Sequence, residues 1–351
     1  MLRGMICWIA ITFTLTLFGG ERLVSYAAAQ SRADRIRFGR SSDAGEITKV
    51  TPVEITLDKG AGGTRRFPTN EIGSVVFDGE PTQLTQARLN ARNGSYAAAL
   101  DALGQINVGS VDRDLVREDV EFYKALCAAK LALGGRGEIV DAGRQLNEFV
   151  RSHPQNFHYL EAVEVMGDLL MASEKFAGAR RQYEELAKAP WPDYQMRAGV
   201  LIGRSYQAED KHPEAIQHFE SVLAITGDSE SAREQKLSAT LGTAVSYAHS
   251  GQVENAVRMI EGVIENADPE QPALQSRAYN ALGTCYEKAG QTKDALLAFL
   301  HVDVLYNTVP EAHAEALTHL VPLWRAVGQE ARARDAQQEF EQRYAGTRST
   351  R

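Results

Sequence analysis

The chain has 351 residues, 44% hydrophobic and 24% charged, the balance of a folded protein rather than a disordered one. That length holds two domains, or one small domain and an extended array. A net charge of -8 excludes a general nucleic-acid binder, which needs a basic face for phosphates, and gives no reason to expect attraction to anionic lipid.

The chain opens with "MLRGMICWIAITFTLTLFGG", in which Arg3 precedes an uncharged run from Met5 to Phe18. That run is shorter than the roughly 20 residues of a spanning helix. Ala27 and Ala29 satisfy the small-residue rule for signal cleavage, so residues 1–29 are expected to be a secretory signal peptide. The mature chain would then be exported, to the periplasm or cell envelope. The alternative is a membrane anchor over residues 5–23, because Glu21, Arg22 and Leu23 lengthen the cleavage region. Cys7 has no lipobox around it, which argues against a lipidated N-terminus. Cys127 and Cys285 lie far apart, each in an alanine-rich helical pattern, and read as small core residues rather than a disulfide.

Residues 30–80 form a second kind of segment. "RIRF" (35–38), "GEITKVTPVEITL" (45–57) and "TRRFPTNEIGSVVF" (64–77) are rich in Val, Ile, Thr and Phe. They predict a small all-β domain of four or five short strands, with a bend at Pro52 and a glycine hairpin at "DKGAGG" (58–63). The positions Gly45, Ile47, Val50, Ile55, Leu57, Glu71, Ile72, Val75 and Phe77 follow an order that resembles small SH3-like or Sm-like barrels. The RNA binding of some such barrels is not carried over, because the segment's charges cancel and export would separate it from RNA.

From residue 81 the period becomes helical and the sequence repeats itself. In "ALGTCYEKAGQTKDALLAF", Gly283, Tyr286, Gly290, Ala295 and Phe299 define a spacing. It recurs as Gly167, Leu170, Phe176, Ala179 and Tyr183, and as Gly203, Tyr206, Ala215 and Phe219. Tyr247, Gly251, Ala256 and Ile260 repeat it, as do Trp324, Gly328, Ala333 and Phe340. Weaker copies carry Gly94, Tyr96 and Ala99, and Gly137, Ala142, Leu146 and Pro154.

This pattern resembles the tetratricopeptide repeat (TPR), a helix pair of about 34 residues. Ala99, Ala142, Ala179, Ala215, Ala256, Ala295 and Ala333 mark seven copies across residues 81–346, leaving a disordered tail at 347–351. Their spacing of 36 to 43 residues implies extended connections. The expected fold is mainly α, a TPR-type solenoid of about seven helix pairs after a small all-β domain. The resemblance implies small residues where helices approach, aromatics between them, and glycine at the first helix's end, as at Gly290.

No catalytic constellation is present: H-E-x-x-H, C-x-x-C, G-x-S-x-G and the P-loop are all missing, and "GAGG" lacks the Lys-Ser/Thr of a phosphate loop. His313 and His319 are six apart, where helical ligand pairs prefer three or four. The chain is therefore expected to be no enzyme and to need no metal or cofactor.

TPR arrays commonly hold peptides or proteins against the first helices of their repeats, and that groove maps here onto Glu161, Glu164 and Asp168, then Arg197, Arg204 and Gln207. Leu241 and Val245 follow, then Arg277, Asn280 and Glu287. The Lys–Asn–Arg clamp for C-terminal carboxylates is not reproduced, since Val200 and Leu241 stand where clamp residues would. Arg197, Arg204, Arg277 and Asn280 are the expected partner-binding residues of a scaffold in a bacterial cell envelope. Self-association of the array is the alternative.

Overall fold

The computed structural model describes residues 33–344. The expected signal peptide or anchor at 1–29 and the tail at 347–351 lie outside the described residues. Among the described residues, no helix is long and apolar enough to cross a membrane.

Five strands come first: β1 (Asp34–Phe38), β2 (Ser41–Val50), β3 (Glu54–Asp58), β4 (Thr64–Pro68) and β5 (Ile72–Val76). They form one antiparallel sheet in the order β4-β3-β2-β1-β5. Alternation explains its one-sided core, since Ile36, Ile47, Ile55, Leu57, Phe67 and Val75 are buried while Arg35 and Arg37 face water. The bend expected at Pro52 is the β2–β3 turn, where Thr51 Oγ1 accepts from the Glu54 amide at 2.9 Å. The glycine hairpin is a short 3₁₀ turn over Gly60–Gly62. β4 and β5 are the two edges, so hydrogen bonding does not close the sheet into a barrel.

Seven helix pairs follow. They are α1 (Thr82–Arg92) with α2 (Tyr96–Gly104), α3 (Asp114–Leu133) with α4 (Ile139–Ser152), and α5 (Tyr159–Ala172) with α6 (Phe176–Leu186). Next come α7 (Pro192–Gln207) with α8 (His212–Ala224), and α9 (Glu230–His249) with α10 (Val253–Asn266). The array ends with α11 (Pro272–Lys288) and α12 (Thr292–Leu305), then α13 (Pro310–Ala326) and α14 (Glu330–Tyr344). Each helix packs on the next, and α1 with α3, α3 with α5, α7 with α9, α9 with α11 and α11 with α13 also pack on one another. That is the arrangement of an α-solenoid, with the odd-numbered helices sharing one face.

The repeat residues do the packing expected of them. The seven marker alanines all lie on even-numbered helices and are at most 2% exposed. A Cβ added at Gly283 would come within 2.6 Å of the Phe299 ring, and one at Gly203 within 2.5 Å of Phe219. In the third, fourth and sixth pairs (Gly167–Tyr183, Gly203–Phe219 and Gly283–Phe299) the first helix therefore needs glycine where the second presents an aromatic. Gly290 ends α11 with φ +71°, a left-handed cap that side chains resist. In the second pair this cap is Gly135, φ 75°, rather than Gly137; the α3–α4 loop is two residues longer there, which displaces the pattern. The long spacings arise partly because α3 and α9 run to 20 residues each. Cys127 and Cys285 are fully buried free thiols, with burial pushing both pKa values up to about 12. Cys285 is thus packing, as its place between repeat positions suggested.

The sheet is not a separate bead. Its core residues join Leu84, Ala87, Ala99, Leu103, Val116 and Val120 of the first helices in a single cluster. Asp34 ties the two parts together: its carboxylate accepts from the Ile47 and Asp78 amides at 2.9 Å and holds the Arg113 guanidinium at 2.5 and 3.0 Å. Burial pushes Asp34 up, but Arg113 and the two amides outweigh it and hold the carboxyl below its usual range. Behind the sheet, the buried Arg88 bridges Glu80 and Asp119, and Asp119 meets His158 at 2.9 Å. A solenoid must cover its terminal apolar face. Here the sheet covers the first pair, while the polar outer face of α14 closes the far end.

Candidate functional site: a charged concave face

The odd-numbered helices α5, α7, α9, α11 and α13 place a band of charged side chains along the inner face. Glu164 on α5 pairs with Arg197 on α7 at 2.5 Å. Burial pushes the Glu164 carboxyl up to about 7, opposed by Arg197 and reinforced by Asp168 one turn on. Asp168 is also raised by burial, although Lys130 and a 3.0 Å hydrogen bond from the Tyr183 hydroxyl pull it back.

Arg204, two turns along α7 from Arg197, is the centre of the band. It opens to the inner face, and among the described residues its guanidinium forms no ion pair and no hydrogen bond. Surrounding protein, and then the like charge of Arg277, lower its pKa. Asp168 and Glu315 act on it only through space. Arg204 is solvent-exposed, so water solvates this cation, and among the described residues no side chain within contact neutralises it. An incoming anionic group can pair with the open guanidinium through charge-assisted hydrogen bonds.

The other three expected residues are more committed. Arg197 is half exposed but neutralised by Glu164. Arg277 donates to the Ser238 hydroxyl and reaches Glu234 at 3.4 Å, leaving part of its fork open. Asn280 departs from the expectation. It is 1% exposed, and its amide donates to the Ala312 carbonyl at 2.8 Å and to Glu315 at 3.0 Å. It braces α11 against α13 and does not line the open face. Leu241 is likewise buried between helices, at 6% exposure, and so is Val200. Helical spacing assigns a residue to a stripe but does not say which edge of the stripe the neighbouring helix covers.

Sequence reasoning missed Lys130, Glu315 and His319, which join the band from α3 and α13. Glu315 approaches Asn280, and His319 pairs with Glu287 at 2.7 Å. Glu315 stands five residues after the proline that opens its helix, as Arg197 and Arg277 do in theirs, so that offset was the available signal for it. It also missed how the sheet meets this face. A cleft of about 210 Å³ lies between the β4–β5 turn and the helices, lined by Asn70, Ser74, Asp119, Tyr123, Glu161 and Tyr194. The sheet therefore forms one end wall of the inner face.

Glu164 gives the band a pH dependence. Its folded pKa lies above the unfolded value near 4.5, so the folded state binds the extra proton between those two values. Its contribution to stability falls as pH rises from about 5 through about 7, by roughly 1–3 kcal/mol. Glu164→Gln removes this slope. Urea midpoints at pH 5 and pH 8 should show the variant gaining on the wild type at pH 8 and not at pH 5. An equal gain at both would mean Glu164 is ionised throughout.

No protein-family model matches the chain, and no curated protein matches it. Solved structures do. A tetratricopeptide-repeat protein from Parabacteroides merdae superposes with a TM-score of 0.56 at 16% identity, over 75% of this chain and 92% of that one. A Rap protein complexed with Competence and Sporulation Factor superposes with a TM-score of 0.50 at 13% identity, over 76% of this chain and 77% of that one. At such identities the likeness is one of fold: the protein is a TPR-type helical solenoid, preceded by a small antiparallel sheet.

Proposed function

We propose that the protein is a non-enzymatic interaction scaffold that holds a partner protein or extended peptide against its concave face. The observation that carries this reading is the unpaired Arg204 guanidinium, set beside Arg277 in the middle of that face. An acidic side chain or an anionic stretch of a partner supplies the missing counter-charge. The fold supports the reading, since the Rap protein of similar fold is complexed with a separate factor. The setting we propose is a bacterial cell envelope, a reading that rests on the sequence of residues 1–29 alone.

Affinity capture of the tagged full chain from the envelope fraction of its source, followed by mass spectrometry, tests both parts. The expected result is one or a few stoichiometric envelope proteins and a bait beginning at Gln30. Capture of the bait alone would instead favour self-association, for which the exposed Leu297, Val304 and Leu305 on α12 offer an apolar surface.

A further inference from the structure

The histidines that look scattered in sequence are not scattered in space. His212 opens α8, His249 closes α9, and Asp210 lies in the turn between α7 and α8. One ligand atom from each of the three lies within 4.8 Å of the other two. The two imidazole rings are 4.2 Å apart between centroids, and His212 Nε2 is 3.8 Å from Asp210 Oδ1. His212 is only 7% exposed, yet neither of its ring nitrogens has a hydrogen-bond partner among the described residues. Buried polar atoms are nearly always paired, so two orphans on one ring call for an explanation.

A second cluster shows what a satisfied histidine looks like. His313 meets Asp303 at 2.8 Å through Nε2 and the Tyr344 hydroxyl at 2.7 Å through Nδ1. Both of its nitrogens are used, and it acts as a latch between α12, α13 and α14. His212 has no such partners and instead shares its space with a second imidazole and a nearby carboxylate.

We propose that Asp210, His212 and His249 form a binding site for a divalent metal of the Zn²⁺ class, which clips the α7–α8 turn to the end of α9. Two imidazole nitrogens and one carboxylate oxygen suit Zn²⁺, whereas Mg²⁺ and Ca²⁺ favour oxygen alone. Zinc bonds of about 2.0–2.2 Å require ligand atoms roughly 3.5 Å apart, which small side-chain rotations reach from the separations seen here. Asp210 is exposed, so water completes the coordination from that side. Burial lowers the pKa of both histidines, that of His249 to about 4, keeping the imidazoles neutral with their lone pairs free. The exposed Lys288 on α11 faces the pair and opposes a cation, while Asp210 and the C-terminal end of α9 favour one. Asp210 itself has φ 55°, at the turn position that Gly251, Gly290 and Gly328 occupy in later pairs.

The test titrates Zn²⁺ alone into the full chain after removal of metals with EDTA, with calorimetry and thermal melting as readouts and Mg²⁺ for comparison. One Zn²⁺ should bind per chain at micromolar affinity and raise the Tm, while Mg²⁺ does neither. Co²⁺ should give the visible bands of a low-coordinate nitrogen–oxygen site. His212→Gln with His249→Gln should weaken zinc binding at least about tenfold. Asp210→Gly removes a ligand at a backbone position that glycine favours, so its metal-free Tm should be kept or raised while zinc binding weakens. That variant preserves the test should the histidine variant fail to fold. No uptake by the wild type at about 100 μM Zn²⁺, or uptake undiminished in Asp210→Gly and in any folded histidine variant, overturns the proposal.

Discussion

Arg88→Met should destabilise the protein by about 3–5 kcal/mol, the usual result of removing one partner from a buried charge cluster. Arg88 is 7% exposed, and its Nη1 donates to both carboxylate oxygens of Glu80, at 2.7 and 2.9 Å. Its other edge donates to Asp119 at 2.8 Å, and Asp119 is 1% exposed. Burial pushes Asp119 up, yet Arg88 and His158 together hold its carboxyl below the usual range. His158 is itself raised against burial by Asp119 and Glu161. Methionine fills much of the same volume, so the loss measured is electrostatic and not a cavity. Without Arg88, Glu80 loses its only ion-pair partner among the described residues and Asp119 keeps only His158. The urea midpoint, followed by circular dichroism, should fall accordingly, and adding Asp119→Asn should recover part of the loss. A change under about 1 kcal/mol would mean that water already solvates the cluster. The consequence reaches beyond stability, because Glu80, Arg88, Asp119 and His158 join the sheet's exit to the first three helix pairs and so set the end wall of the concave face.

The helical architecture was legible in the sequence because its determinants are local and repeated. Ala295, Gly283 and Phe299 each meet a neighbour one helix away, and seven copies of the same offsets leave little ambiguity in period. Strand positions were legible for a similar reason, through the alternation of Ile36, Ile47, Ile55 and Phe67. The site was less so. Arg204 and Arg277 could be assigned to the inner stripe from spacing alone, but that Arg204 is unpaired depends on side chains from α5, α9 and α13. Asn280 looked identical in kind and proved to be a brace, because whether a stripe-edge residue is covered depends on how closely the next helix approaches. His212 and His249 were invisible as a pair: they are 37 residues apart, and only stacking of adjacent repeats brings their rings together. The Asp34–Arg113 tie, across 79 residues, escaped for the same reason.

Reversal of the two central cations should have the largest effect on binding. Arg204 gives up no hydrogen bond or ion pair within the described residues when replaced, and Arg277 gives up only the Ser238 hydroxyl and the exposed Glu234. Arg204→Glu with Arg277→Glu should therefore leave the fold and the melting cooperativity in place. Each charge-assisted hydrogen bond to a partner carries about 1.5–3 kcal/mol, so losing two of them weakens binding by about 100-fold or more. Repulsion adds to that loss, and the wild-type affinity should decline as salt screens the contact. The decisive measurement is the dissociation constant of the captured partner for wild type and for this double variant, side by side at low and moderate salt. The account predicts the 100-fold loss in a variant whose circular dichroism is unchanged. Equal affinity for the two proteins would contradict it, and would place the partner on the outer helices or on the sheet.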